Sequence, residues 1–274
     1  MLYIAKRRKK KSSGCLAIIL FFIGVGIFMA IVIQDRFGID KEYASIEDVP
    51  KHDYDWGQLV EENGKKNYVD VNGEKALVGI DVSRHQKSIE WEKVKNDGID
   101  FAIIRVGYRG YEIGRLILDD RFKYNIENAI GVGIDVGVYF FSQATTEEEA
   151  IEEAEFLIKH IKGYRIKGPV VFDLEELGSI NSRIDNLTTE ERTNVALAFC
   201  KVIKKAGYDP MIYASRSHLL NQYYLNKIAK YEIWVAEYNV SPLFEYDFRI
   251  WQYTDKGKVD GISTNVDLNI YFKK

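Results

Sequence analysis

The sequence predicts an α/β protein: an irregular (β/α) barrel of eight strands and about five helices, similar to a TIM barrel, preceded by one membrane-spanning helix. Three observations predict it. From Leu77 onward, eight short apolar runs alternate with segments whose apolar residues recur at helical spacing. Strand-then-helix repetition implies parallel strands joined by crossovers, and the last three runs lie too close together for full helices between them. Ahead of this body, residues 15–33 (CLAIILFFIGVGIFMAIVI) carry no charge and no strongly polar side chain.

Residues 1–14 form a basic tail. The first eleven hold six of the 38 basic residues and no acid, so the rest of the chain has 32 basic against 41 acidic residues, a net charge of −9. A helix over residues 15–33 would be roughly 28 Å long, close to the ~30 Å hydrocarbon core of a bilayer. Basic residues before the span keep that end cytoplasmic and place residues 34–274 outside. The stretch ends in AIVIQD, without the small-residue cleavage pattern of a signal peptide. An uncleaved single-pass anchor in the cell membrane is therefore expected. Cys15 precedes the apolar stretch, where a lipoprotein cysteine would follow it.

Residues 34–76 read as an extracytoplasmic stalk with one small hairpin, its turn at Asn72-Gly73 between YVDV and EKALVGI. The barrel is expected over 77–274. Its strands are read at 77–82, 101–106, 135–141, 168–175, 210–214, 232–236, 248–253 and 265–270. Ser88 can cap a short helix that ends at Gly98. Thr145 with Glu148, and Thr188 with Glu191, form capping boxes before two amphipathic helices. Acids in the first of these suit the helix N-terminus and a solvated face.

Several functions are excluded. A mostly acidic body repels a phosphate backbone, so no nucleic-acid partner is expected. With Cys15 in the apolar span and Cys200 alone in the body, neither a disulfide nor a Cys-rich zinc module can form. HExxH and P-loop motifs are absent, and GVGIDVG precedes a strand instead of following one. His52, His85, His160 and His218 are scattered. Neither cofactor nor metal is expected.

Barrel chemistry gathers at the C-terminal ends of strands, and that rule selects carboxylates. Asp81 ends the first strand, Asp173 and Glu175 end the fourth, and Asp267 lies in the eighth. In FDLEE the side chains of Asp173 and Glu175 share one face, about 6–7 Å apart, while Leu174 and Glu176 point the other way. Burial and like-charge repulsion should hold one of the pair protonated near neutral pH. Such a set suits glycoside hydrolysis; paired acids at strand ends also suit a divalent metal, as in a deacetylase or phosphodiesterase.

The strings GIDVSRHQ (79–86), FAIIRVGYRG (101–110), GVYFFSQATTEEEAIEEAEF (137–156), GPVVFDLEE (168–176), IYAS (212–215), IWVAEYN (233–239), IWQYT (250–254) and VDLNIY (266–271) together resemble glycoside hydrolase family 25, the muramidases. The resemblance implies an eight-stranded barrel with five helices that cleaves the β-1,4 bond between N-acetylmuramic acid and N-acetylglucosamine in peptidoglycan glycan strands. By motif, Glu175 would be the general acid and Asp173 its partner, orienting the substrate acetamido group. Asp81 and Asp267 would complete the acidic cleft. Acetamido participation and direct water attack with inversion both remain open. Departures follow Asp81 (SRHQ) and IYA (SRSHL), where they bear on sugar preference.

Tyr108, Tyr139, Trp234, Tyr238, Trp251 and Tyr253 stand at strand ends, where they either stack on sugars or pack the barrel; the resemblance favours the cleft for Trp234 and Trp251. Arg105 and Arg109 suit carboxylate or lactyl recognition, Arg105 alternatively as counter-charge to the acids, and His85 is a subsite candidate. A silent wall-binding module is the alternative to an enzyme. Retention of all four acids argues against it.

Overall fold

Strands that carry apolar side chains on both faces have to be covered twice, and the chain does this by closing its sheet into a barrel. The computed structural model describes residues 43–178 and 182–273. The expected tail and membrane span at 1–33 lie outside the described residues. Among those described, no helix is long and apolar enough to cross a membrane.

A hairpin comes first, β1 (Leu59–Glu62) and β2 (Lys65–Tyr68). Its turn is Asn63-Gly64, with φ of 52° and 74°, the double left-handed geometry that an Asn-Gly hairpin requires. The hairpin expected at Asn72-Gly73 reduces to a tight turn on the Asp70 carboxylate, which accepts the N–H groups of Asn72 and Glu74 at 2.8 and 2.7 Å, with a single bridge from Val69 to Lys75. Nor do residues 43–76 stand off as a stalk. The Tyr54 ring stacks on Phe272 at 4.1 Å and its hydroxyl donates to the Phe248 carbonyl at 2.7 Å. Trp56 packs on Trp251 and Tyr68 is buried. The aromatic residues of this stretch have somewhere apolar to go, and they hold it to the barrel wall.

The barrel follows in the order β3 (Leu77–Val82), α1 (Trp91–Asn96), β4 (Phe101–Arg109), β5 (Leu116–Leu118), α2 (Phe122–Gly131), β6 (Asp135–Ser142), α3 (Glu147–Ile161), β7 (Val170–Leu174), α4 (Thr189–Lys205), β8 (Pro210–Ser215), α5 (Arg216–Asn221), α6 (Leu225–Ile228), β9 (Glu232–Ala236), β10 (Ile250–Gly257) and β11 (Val266–Tyr271). Each of the eight expected runs forms a barrel strand. The sheet order is β3-β11-β10-β9-β8-β7-β6-β4, closed by a β3–β4 pairing, with β5 added antiparallel to β4. All barrel pairings are parallel except the two made by β11. A regular (β/α) repeat would run the eighth strand the other way. Only eight residues separate β10 from β11, too few for the crossover that a parallel neighbour needs, whereas the thirteen between β9 and β10 make a parallel connection without a helix.

Phe101, Ile103, Val171, Met211, Trp234 and Ile250 fill the barrel interior, and the opposite strand faces pack against the helices. Thr188 and Glu191 form the expected capping box on α4. On α3 the cap is Thr146, one residue later than expected, while the Thr145 hydroxyl reaches the Glu149 carboxylate. Ser88 caps nothing, because α1 starts at Trp91 behind Glu90.

Candidate active site

β7 carries the pattern VVFDL, every residue buried. Alternation turns Phe172 and Leu174 toward the helices and Val171 and Asp173 inward, and just past the strand Glu175 continues the inward set. Glu176 turns outward onto Arg192 at 3.0 Å. The same-face relation of Asp173 and Glu175 therefore exists as the sequence implied.

Asp267 reaches the same lip by another route. Because β11 runs antiparallel, its first residues lie beside the last residues of β3, and Asp267 pairs directly with Asp81. Four carboxylates thus meet in a cleft of about 550 Å³ at the end of the barrel. Tyr139, Trp234, Arg105 and Tyr108 line it as expected, together with His85, Arg109 and Tyr238. Arg109 is engaged elsewhere, donating to Glu153 at 2.7 Å and to the carbonyls of Gly114 and Glu149 at 2.8 Å.

Trp251 is a correction. Its neighbours Ile250 and Gln252 face inward, so Trp251 faces out, is fully buried, and donates its indole N–H to the Glu237 carbonyl at 2.8 Å. Tyr253 shares that outer face and packs on Trp251. Gln252, Asn269 and Tyr213, not singled out from sequence, take part instead, together with Tyr238. Gln252 and Asn269 donate side-chain amide N–H groups to Asp81 Oδ2 at 3.0 and 2.8 Å. The Tyr213 and Tyr238 hydroxyls donate to Gln252 Oε1 at 3.1 and 2.8 Å. A signal for two of these was present: Gln252 and Asn269 each stand two residues from an inward position, Ile250 and Asp267.

The four acids differ because their surroundings differ. Burial pushes Asp81 up to about 6, with the Asn269 and Gln252 amides holding it down. Burial and then the Asp81 charge push Glu175 up to about 7, opposed by the Tyr213 hydroxyl. Burial, Asp81 and Asp255 push Asp267 up to about 8. Asp173 is raised well above the carboxylate range by burial, then by Glu175 and Asp81, with Arg105 opposing. Asp81 is thus the acid most readily ionised and Glu175 holds a proton up to neutrality. This is the division of labour that acid catalysis beside a stabilising carboxylate requires. Among the described residues no group of three or more His, Cys, Asp or Glu is arranged to hold a metal ion.

Residues 80–262 match the family "Glycosyl hydrolases family 25". The chain is 31% identical over 200 residues to lysozyme M1 of Streptomyces globisporus, covering 70% of this chain and 66% of that one. Among solved structures, the modular autolysin LytC of Streptococcus pneumoniae, in complex with a synthetic peptidoglycan ligand, superposes with a TM-score of 0.65 at 27% identity, over 78% of this chain and 52% of that one. The bacterial lysozyme of Streptomyces coelicolor superposes with a TM-score of 0.59 at 29% identity, over 72% and 92%. This chain therefore spans slightly under two thirds of lysozyme M1 and about half of LytC. The family match takes in Asp81, Asp173 and Glu175, and by it the chain belongs to glycosyl hydrolases family 25.

Proposed function

We propose that this chain hydrolyses the β-1,4 bond between N-acetylmuramic acid and N-acetylglucosamine of peptidoglycan, and that residues 15–33 tether it to the cell membrane with the barrel facing the wall. The observation that carries the reaction is the inward pair Asp173 and Glu175 facing Asp81 and Asp267 across one cleft. Glu175, protonated near neutral pH, donates to the glycosidic oxygen as the bond to the anomeric carbon breaks. Asp173 orients the substrate acetamido group, on which positive charge develops. Asp81, held ionised by its two amide donors, stabilises the same charge through the buried site, and Asp267 positions substrate beside it. Names of relatives support the substrate class, and the charge asymmetry of the sequence supports the orientation in the membrane.

Digesting purified peptidoglycan with the full chain in detergent tests the reaction. New muramic-acid reducing ends are expected; N-acetylglucosamine ends would reassign the bond, and no new ends would overturn the proposal. The anomer of the first product separates acetamido participation (retention) from direct water attack (inversion). For the tether, the chain should remain with washed membranes, and protease added outside intact spheroplasts should remove the barrel.

A further inference from the structure

Beside the carboxylates, Arg84, His85, Arg105 and Tyr108 also line the cleft, from β4 and from the turn that follows Asp81 and β3. Arg105 is an inward residue of β4 whose side chain is 9% exposed; its Nε donates to Asp119 Oδ2 at 2.8 Å. Among the described residues its Nη2 has no hydrogen-bond partner. Asp119 is already shared: Oδ2 also accepts the Arg84 backbone N–H at 3.1 Å, and Oδ1 that of Arg121 at 2.9 Å. Above Arg105, the Arg84 guanidinium lies 5.1 Å from the centre of the Tyr108 ring and donates to its hydroxyl at 3.0 Å. The Arg105 guanidinium lies 5.3 Å from that same ring.

Two guanidinium groups on one aromatic ring are arranged for something other than each other. A buried guanidinium N–H without a partner carries a desolvation cost that a bound acceptor relieves, and the planar fork of arginine suits carboxylate and phosphate oxygens. An anion in this cleft is drawn to the guanidinium groups and away from ionised Asp81. A glycan that carries one would then be fixed in orientation as well as held.

We propose that Arg84, Arg105 and His85 form an anion subsite that receives a carboxylate or phosphate group carried by the glycan while its sugar ring lies over the acids. The proposal rests on the peptidoglycan reading above. The carboxylate would come from the lactyl group or stem peptide, the phosphate from a polymer joined to the glycan by a phosphodiester.

The test compares wild type with Arg84→Gln, an exposed position that leaves the fold intact, on four substrates. These are native glycan, glycan stripped of stem peptides by an amidase, glycan with its carboxylates converted to neutral methylamides, and glycan freed of phosphodiesters by hydrogen fluoride. Neutralising the recognised group should raise KM for wild type by about tenfold with little change in kcat. Arg84→Gln should raise KM on the charged substrate and leave it unchanged on the neutral one. Sensitivity to methylamidation assigns a carboxylate, placed in the peptide if amidase treatment alone has the effect; sensitivity to hydrogen fluoride assigns a phosphate. Equal KM on all four substrates, or an Arg84→Gln effect that is the same on charged and neutral glycan, would overturn the subsite, since a purely structural role acts on both alike. If wild type cleaves nothing, the hydrolase reading fails, and calorimetric binding of charged against neutral glycan to the Glu175→Gln protein decides the subsite by itself.

Discussion

Trp234 donates its indole N–H to Asn269 Oδ1 at 2.9 Å. An indole N–H can only donate, so this bond fixes the Asn269 amide with its NH2 toward Asp81, where it donates at 2.8 Å. An aromatic residue of the barrel interior thereby keeps a carboxylate ionised that lies on another strand. Asn269→Leu removes that donor. The loss of a hydrogen bond to a charged group, about 1.5–3 kcal/mol, should raise the Asp81 pKa from about 6 by roughly one to two units. The acid limb of the pH–kcat/KM profile should move up accordingly. Trp234→Phe should move it the same way by less, because Asn269 is then free to turn. An unmoved acid limb in Asn269→Leu would dissociate Asp81 from that limb.

Glu175 sets the other limb. With its carboxyl raised to about 7, activity should fall as pH rises through that value and the proton donor is lost, giving a bell between about 6 and about 7. Glu175→Gln should lower kcat by about 10²–10⁴ with an unchanged melting temperature, measured by reducing-end release and thermal denaturation. Full activity in this variant would remove Glu175 as the acid.

The strands and the acids were legible in the sequence because both follow alternation, and alternation is local. FDLEE gives Asp173 and Glu175 one face however the rest of the chain folds. The reversal of β11 was not legible, since strand direction depends on the length and path of a connection. It is nonetheless what brings Asp267 opposite Asp81. The face of Trp251 is hidden for a related reason: standing at a strand end says nothing about which face a residue occupies, whereas counting from inward Ile250 does. The hairpin at Asn63-Gly64 is flanked by Glu and Lys instead of alternating apolar residues, so the usual signature was muted there.

Exchanging the two tryptophans' roles is a direct check on that correction. Trp251→Phe should lower the melting temperature through lost packing on Trp56 and Tyr253 while KM for glycan stays within about twofold. Trp234→Phe should lower kcat. A rise in KM confined to Trp251→Phe would return that residue to the cleft.

Residues 43–76 should behave as part of the folded body. Tyr68 is 4% exposed and meets Tyr54, Trp56 and Phe272 edge-on. Tyr68→Ala should cost about 3 kcal/mol, or roughly 6–12 °C in melting temperature. A chain beginning at Leu77 should melt lower still. Equal melting of the full chain and the shortened one would mean that these contacts add no stability.

Asp267 should weaken the fold at the pH where the site works. Its pKa is raised to about 8 by burial, by Asp81 and by Asp255, against about 3.9 in the unfolded chain. Between those values the folded state binds a proton that the unfolded state has released, so the contribution of Asp267 to stability falls as pH rises from about 4 to about 8. Asp267→Asn removes the ionisation. Below pH 4 both forms are neutral and the substitution should leave the melting temperature nearly unchanged. At pH 8 it should raise stability by about 1–2 kcal/mol, a figure reduced for the partial exposure of the carboxylate, or roughly 2–8 °C. Activity should fall at the same time, because Asp267 is among the charges that raise the Asp173 carboxyl. Melting curves of both proteins at pH 4 and pH 8 decide the matter: a gain equal at the two pH values would trace it to packing, and a loss at pH 8 would mean that Asp267 is held by a favourable partner instead of repelled by Asp81.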